Sequence, residues 1–149
     1  MKRSGLIRAG LLFLAVASLM VGPWAQFAPH SFWDGFPGFG RAWVSADGSY
    51  NEHLIRDVGG LQLAMVVVLV AAFIRPEVMI VRVAALASIV WQAPHLVYHL
   101  VHVGNLPTLA DRVVQSAGLV LTFAVALAVL VSARDPAIGE TSGLRRRVV

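Results

Sequence analysis

The stretch Val58–His102, VGGLQLAMVVVLVAAFIRPEVMIVRVAALASIVWQAPHLVYHLVH, decides the fold. Its only charged residues are Arg75, Glu77 and Arg82, grouped near its middle. Before them stands an uncharged apolar run, Val58–Ile74; after them a second extends from Val83 past His102. A spanning helix needs about 20 mainly apolar residues, each rising about 1.5 Å. In lipid the backbone must satisfy its own hydrogen bonds, so such runs are helices. Two of them joined by a short charged turn make a membrane hairpin. The run before the turn is short, but Asn51 is an N-cap candidate, which starts that helix at Glu52.

Two further runs lie outside the hairpin. Ala9–Trp33 lacks charge, its membrane part being about Leu6–Phe27, and Val113–Ala133 supplies a fourth span. The chain is therefore predicted to be all-α, an integral membrane four-helix bundle with helices near 6–27, 52–74, 79–103 and 112–133. Residues 1–135 form the transmembrane domain. Residues 136–149 form a basic cytoplasmic tail near the lipid surface. Lys2, Arg3 and Arg8 before an apolar run, with Ala15-Val16-Ala17 following, also describe a signal peptide. The run continues past Val21 and Trp24, longer than a usual signal core, so the reading adopted is an uncleaved helix.

Composition agrees. Of 149 residues, 58% are hydrophobic and 13% charged, with mean hydropathy +0.74; soluble domains carry about 25% charged residues. The net charge of +4 does not indicate nucleic acid, because the basic residues sit at the ends of apolar runs and not in a stripe with aromatics. The absence of cysteine excludes disulfides, thiolate metal sites and cysteine catalysis. Lys2, Arg3, Arg8, Arg75, Arg82, Arg134, Arg145, Arg146 and Arg147 fall on one side of the predicted membrane; Arg41, Arg56 and Arg112 fall on the other. The richer side marks the cytoplasm, which places both termini there in the plasma membrane.

The connection from Pro29 to Tyr50 is thus extracytoplasmic. It carries Phe32, Trp33, Phe36, Phe39, Trp43 and Tyr50 among several glycines. Such a segment either lies along the membrane surface as part of an aromatic belt or forms a lid over a site between the helices. No internal repeat, coiled-coil heptad or phosphate-binding glycine loop is present.

All five histidines belong to that side. His30 is in the loop, His53 begins the second helix, and His95, His99 and His102 close the third. At about 100° per residue the last three share one helix face. His53 and Asp57, at i and i+4, share another. The pairs Asp57/His99 and His53/His102 both centre on the Arg75–Arg82 turn, which predicts matched depth across the hairpin. Pro94 is expected to kink the third helix and free a carbonyl there. His53, Asp57, His95 and His99, with His102 and Glu52 as alternates, are therefore expected to bind one transition metal. Imidazole and carboxylate suit zinc, copper, iron or manganese. Trp91, Gln92, Tyr98 and Asn51 are available as outer-sphere partners. The plainer reading of the same residues is polar glue between two helices, and that of Gly59 and Gly60 is close helix contact.

The segments NEHLIRDVGG (residues 51–60) and PHLVYHLVH (residues 94–102) resemble those of uncharacterised four-helix membrane proteins of actinobacteria. The layout and glycine pair are more distantly similar to DoxX-like small membrane proteins. The first resemblance implies the same fold over most of the chain, the second only a topology; neither implies a catalytic residue. Three functions fit: a metal site acting on a lipid or small apolar substrate, an accessory subunit of a larger membrane complex or homo-oligomer, and a proton-relay or transport element.

Overall fold

The computed structural model describes residues 2–133; the predicted tail at 136–149 lies outside them. The chain runs α1 (Lys2–Phe27), α2 (Pro29–Gly35), β1 (Pro37–Gly38), β2 (Arg41–Ala42), α3 (Trp43–Asp47), α4 (Glu52–Ile74), α5 (Val78–Val101), a 3-10 turn (Val103–Asn105) and α6 (Leu109–Ser132). Four helices, α1, α4, α5 and α6, are long and apolar enough to cross a membrane.

Capping sets two of the starts. The Asn51 side chain accepts a hydrogen bond from the Leu54 amide at 3.1 Å, so α4 begins at Glu52 as predicted. Thr108 does the same for the Asp111 amide, which starts α6 at Leu109, three residues before the expected position. The expected boundary rests on the charges of Asp111 and Arg112. An acidic residue is favourable within the first turn, where it faces the positive end of the helix. At the other boundaries, α1 begins at Lys2, and α5 ends at Val101 and passes into the 3-10 turn. Helix α5 runs through Pro94 without interruption.

The four long helices form a ring in the order α1, α4, α5, α6, with α1 packed most intimately on α4 and α4 most loosely on α5. Glycine permits the first contact: a Cβ on Gly59 would lie 2.5 Å from the Gln26 backbone nitrogen. The expected close contact at this glycine therefore exists, and its partner is α1. The α4–α5 turn lies at one end of the bundle, here the hairpin end. There Arg8 sits over the Phe73 ring at 5.8 Å, and Arg82 donates to the Ala133 carbonyl at 2.7 Å, capping α6. A core of Leu11, Leu14, Leu69, Val81, Ala85 and Val129 fills this half.

At the opposite end, residues 28–51 are not an irregular loop. They fold into α2, a two-residue-per-strand hairpin and α3, and lie across the bundle. Ala25, Phe32 and Ile55 form a second, smaller core beneath them, supported by Trp24, Phe36 and Tyr50. This segment is called the lid below. The tip of its hairpin, Gly38-Phe39-Gly40, is left-handed at all three residues, with φ of 98°, 58° and 72°. Phe39 there is 99% exposed.

Candidate functional site

Between the two cores lies a cavity of about 590 Å³, within the usual range for small-molecule sites of roughly 300–1,000 Å³. Helical periodicity builds its walls. On α4 the lining residues are Leu54 and then Ile55, Val58, Gln62, Met65 and Leu69, the last five a repeat of three and four. On α5 they are Ser88, Trp91, Gln92, His95, Tyr98 and His99. Helix α6 adds Gln115, Gly118, Leu119 and Thr122, and α1 adds Leu14, Ala17, Ser18 and Val21. The floor at Leu14, Met65 and Leu69 also belongs to the hairpin-end core.

The lid is the roof. Phe32, Phe36, Pro37, Trp43, Val44 and Asp47 all line the cavity. Six residues of the aromatic segment thus line an interhelical space. Two polar latches hold it. In the first, Asp111 at the start of α6 is buried and receives the Arg41 guanidinium, the Trp43 indole N–H at 2.8 Å and the Thr108 hydroxyl. In the second, Asp47 closes α3 with one oxygen 3.3 Å from His99 Nδ1 and the other accepting from Asn105 Nδ2 at 3.0 Å. The Trp33 indole adds a bond to the Gly48 carbonyl at 3.0 Å, within the lid itself.

His95 and His99 meet edge to face with ring centroids 4.5 Å apart, and Trp91 stacks on His95 at 5.0 Å. A carboxylate at Nδ1 of His99 orients its ring and leaves Nε2 as the nitrogen free to accept or ligate. Gln92 presents a further polar group. Its Oε1 atom is buried and has no hydrogen-bond partner.

The expected metal ligands do not gather here. His95 and His99 line the cavity, whereas His53, Asp57, Glu52 and His102 do not. His53 pairs with Asp57 at 3.3 Å on an exposed face of α4, with side chains 89% and 62% exposed. Glu52 turns to Arg56 at 2.9 Å. His102 stacks on Tyr98 at 4.2 Å, and its Nδ1 lies 2.8 Å from the Tyr98 carbonyl. Among the described residues, no group of three His, Asp or Glu side chains is placed to hold a metal ion. The physical reason is rotation about the helix axis. Symmetry about the hairpin predicts depth alone. The cavity face of α4 carries residues 55, 58 and 62, and residue 57 lies about 100° away from 58.

Of the residues named as outer-sphere partners, Trp91, Gln92 and Tyr98 line the cavity, and Asn51 serves as the α4 cap. His30, read as a loop residue, lies on α2 and pairs with Asp34 at 3.1 Å. Sequence reasoning missed Asp47, Gln62, Asp111 and Gln115. The glutamines carried a legible signal, since each is the sole amide within an otherwise apolar span. Asp47 carried none, because its role depends on the folding of the lid. Comparison with family models, with curated proteins and with solved structures returns no match to this chain.

Proposed function

We propose that this chain is a multi-pass plasma-membrane protein that holds a small, mainly apolar molecule in the cavity between its four spans. The lid faces the extracytoplasmic side. The observation that carries this reading is a convergence: four helix faces and six lid residues meet on one apolar space of about 590 Å³. Sound cores exclude such spaces, because voids forfeit packing energy. Two features support the setting. Val67, Ile74, Val90, Val97, Leu121 and Val131 are exposed on the outside of the helices, which suits lipid as the surrounding solvent. The three arginines at the lid end are all engaged by the protein: Arg41 by Asp111, Arg56 by Glu52 and the Gln26 carbonyl, Arg112 by the Leu106 and Gly104 carbonyls. Arg8 and Arg82 lie at the hairpin end, the side where basic residues accumulate in the sequence.

Gly118 provides the test. It lines the cavity, and a Cβ added there meets no atom within 4 Å. Gly118→Leu therefore starts a side chain in open space on the cavity wall, and replacing glycine within a helix is itself favourable by up to about 1 kcal/mol. Native mass spectrometry of protein extracted gently from its membrane should reveal a small-molecule adduct on the wild type. The variant should lack it while unfolding at the same or a higher temperature. An adduct retained equally by both proteins, or carried by neither, would sink the proposal.

A further inference from the structure

The half of the cavity next to the lid differs in chemistry from its floor. We infer that this half takes a flat, uncharged aromatic molecule of one or two rings bearing a hydroxyl, seated between His95 of α5 and Gln115 of α6. This inference rests on the cavity being a ligand site.

His95 lies six residues before the end of α5, and Gln115 six residues after the start of α6. At about 1.5 Å per residue both stand roughly 9 Å below the lid end, on neighbouring helices, and both line the cavity. Gln115 is more than nine-tenths buried, at 8% exposure. Neither side chain makes a hydrogen bond with another described residue. Among the described residues that are not exposed, only Gln92 Oε1 is both unpaired and sealed from contact, so the polar atoms of His95 and Gln115 are reachable from the space they line. A neutral imidazole offers one acceptor nitrogen, and a carboxamide offers N–H donors. One hydroxyl between them donates to the first and accepts from the second, which satisfies two groups that the protein leaves unpaired.

The surroundings of that seat are rings. Phe32, Phe36 and Trp43 come from the lid, and Trp91 and Tyr98 flank His95 along α5. Aromatic faces and edges favour a flat ring over an aliphatic group of the same size. The floor at Leu14, Met65 and Leu69, by contrast, is aliphatic. Charge is disfavoured in both senses. Among the described residues no Lys or Arg lines the cavity, so an anion would have no counter-charge. The one lining carboxylate, Asp47, has both oxygens occupied by His99 and Asn105, so a cation would have to displace an existing contact.

The test uses the full-length protein in detergent with four probes of matched size: 2-naphthol, naphthalene, decahydro-2-naphthol and 2-naphthoate. Binding is read by equilibrium dialysis against empty micelles, with each probe quantified by chromatography. 2-Naphthol should bind about tenfold more tightly than naphthalene, a factor equal to about 1.4 kcal/mol. It should bind about fivefold more tightly than its saturated analogue, which keeps the hydroxyl and loses the aromatic contacts. 2-Naphthoate should bind least. Gln115→Leu removes an unpaired buried amide and should fold at least as stably. It and His95→Phe should bind naphthalene normally and lose the preference for 2-naphthol, while His53→Ala should keep it. An unchanged preference in both Gln115→Leu and His95→Phe would overturn the polar seat. Decahydro-2-naphthol binding as tightly as 2-naphthol would overturn the aromatic walls, and 2-naphthoate doing so would overturn the uncharged ligand. If no probe binds above the empty micelles, the cavity reading fails and this inference with it. If naphthalene, 2-naphthol and decahydro-2-naphthol bind equally, and Gly118→Leu abolishes all three, the cavity stands and only this inference fails.

Discussion

Asp47 Oδ2 lies 3.3 Å from His99 Nδ1, joining the last residue of the lid's second helix to the wall of the cavity. Both side chains are largely shielded, at 16% and 18% exposure, and the second carboxylate oxygen binds Asn105. Asp47→Ala removes the acceptor for two donors at once. It should destabilise the protein by about 1–3 kcal/mol, read as a lowered unfolding temperature in detergent. Asn105→Ala should cost less, because His99 keeps its partner. Equal unfolding temperatures for Asp47→Ala and the wild type would show that the latch contributes nothing.

The second latch should control access. Asp111 is buried among Arg41, Trp43 and Thr108, and removing one member of such a group leaves the others unpaired. Because the Arg41 side chain is 35% exposed, the cost of Arg41→Ala should be about 2 kcal/mol, below that of a fully buried pair. The chain has no cysteine among its 149 residues, so a single Val44→Cys on the inner face of the lid reports cleanly. A soluble maleimide should label it faster when Arg41→Ala or Asp111→Ala is added. Unchanged labelling would mean that the lid stays shut without this ion pair.

Adjacent glycines should respond oppositely. At Gly59 a methyl group would meet Gln26 backbone at 2.5 Å and 2.8 Å, and backbone cannot move aside cheaply. At Gly60 the nearest atom is Gln26 Oε1 at 3.5 Å, an ordinary contact. Gly59→Ala should destabilise by about 1–3 kcal/mol through overpacking. Gly60→Ala should be neutral or stabilising by up to about 1 kcal/mol. Thermal unfolding of the two variants side by side decides the matter, and a similar loss in both would contradict the α1–α4 geometry.

Histidines should divide into two classes. His99→Ala breaks the Asp47 contact and should lower the unfolding temperature measurably. His53→Ala removes only an exposed pair, worth about 0–1 kcal/mol, and should leave it unchanged. A loss in His53→Ala as large as that in His99→Ala would require α4 to be rotated from its present orientation.

Topology follows from the opposed ends of the bundle. Single cysteines at Ser45 in α3 and at Glu77 in the α4–α5 turn should label from opposite sides of intact cells or oriented vesicles. Labelling of both from one side would exclude a four-span arrangement.

The helices were legible because each long apolar run approaches the length and composition of a membrane-spanning helix, and Asn51 announced the start of α4 by capping chemistry alone. The lid was legible in composition but not in form. Its aromatics marked it as packed or interfacial, while its two short helices and hairpin arise from contacts with α1, α4 and α6 that no local pattern encodes. The site was half legible. Spacing correctly put His95 and His99 on one face of α5, since the 3.6-residue period is intrinsic to the helix. The same period said nothing of how α4 turns relative to α5, so His53 and Asp57 were assigned to the site and proved to face away. The carboxylate at His99 comes from Asp47, which no spacing rule links to it.

The ion pair between Arg41 and Asp111 joins positions 70 residues apart. A chain is made from its N-terminus onward, so the lid exists well before the helix that fastens it. Until α6 is made, the roof has no anchor at its Arg41–Trp43 corner, and the side of the cavity that α6 walls stands open. Closure is thus the final act of assembly. A molecule held there, as proposed above, would enter while the protein is still being built, or afterwards by reopening a bond that the last helix made.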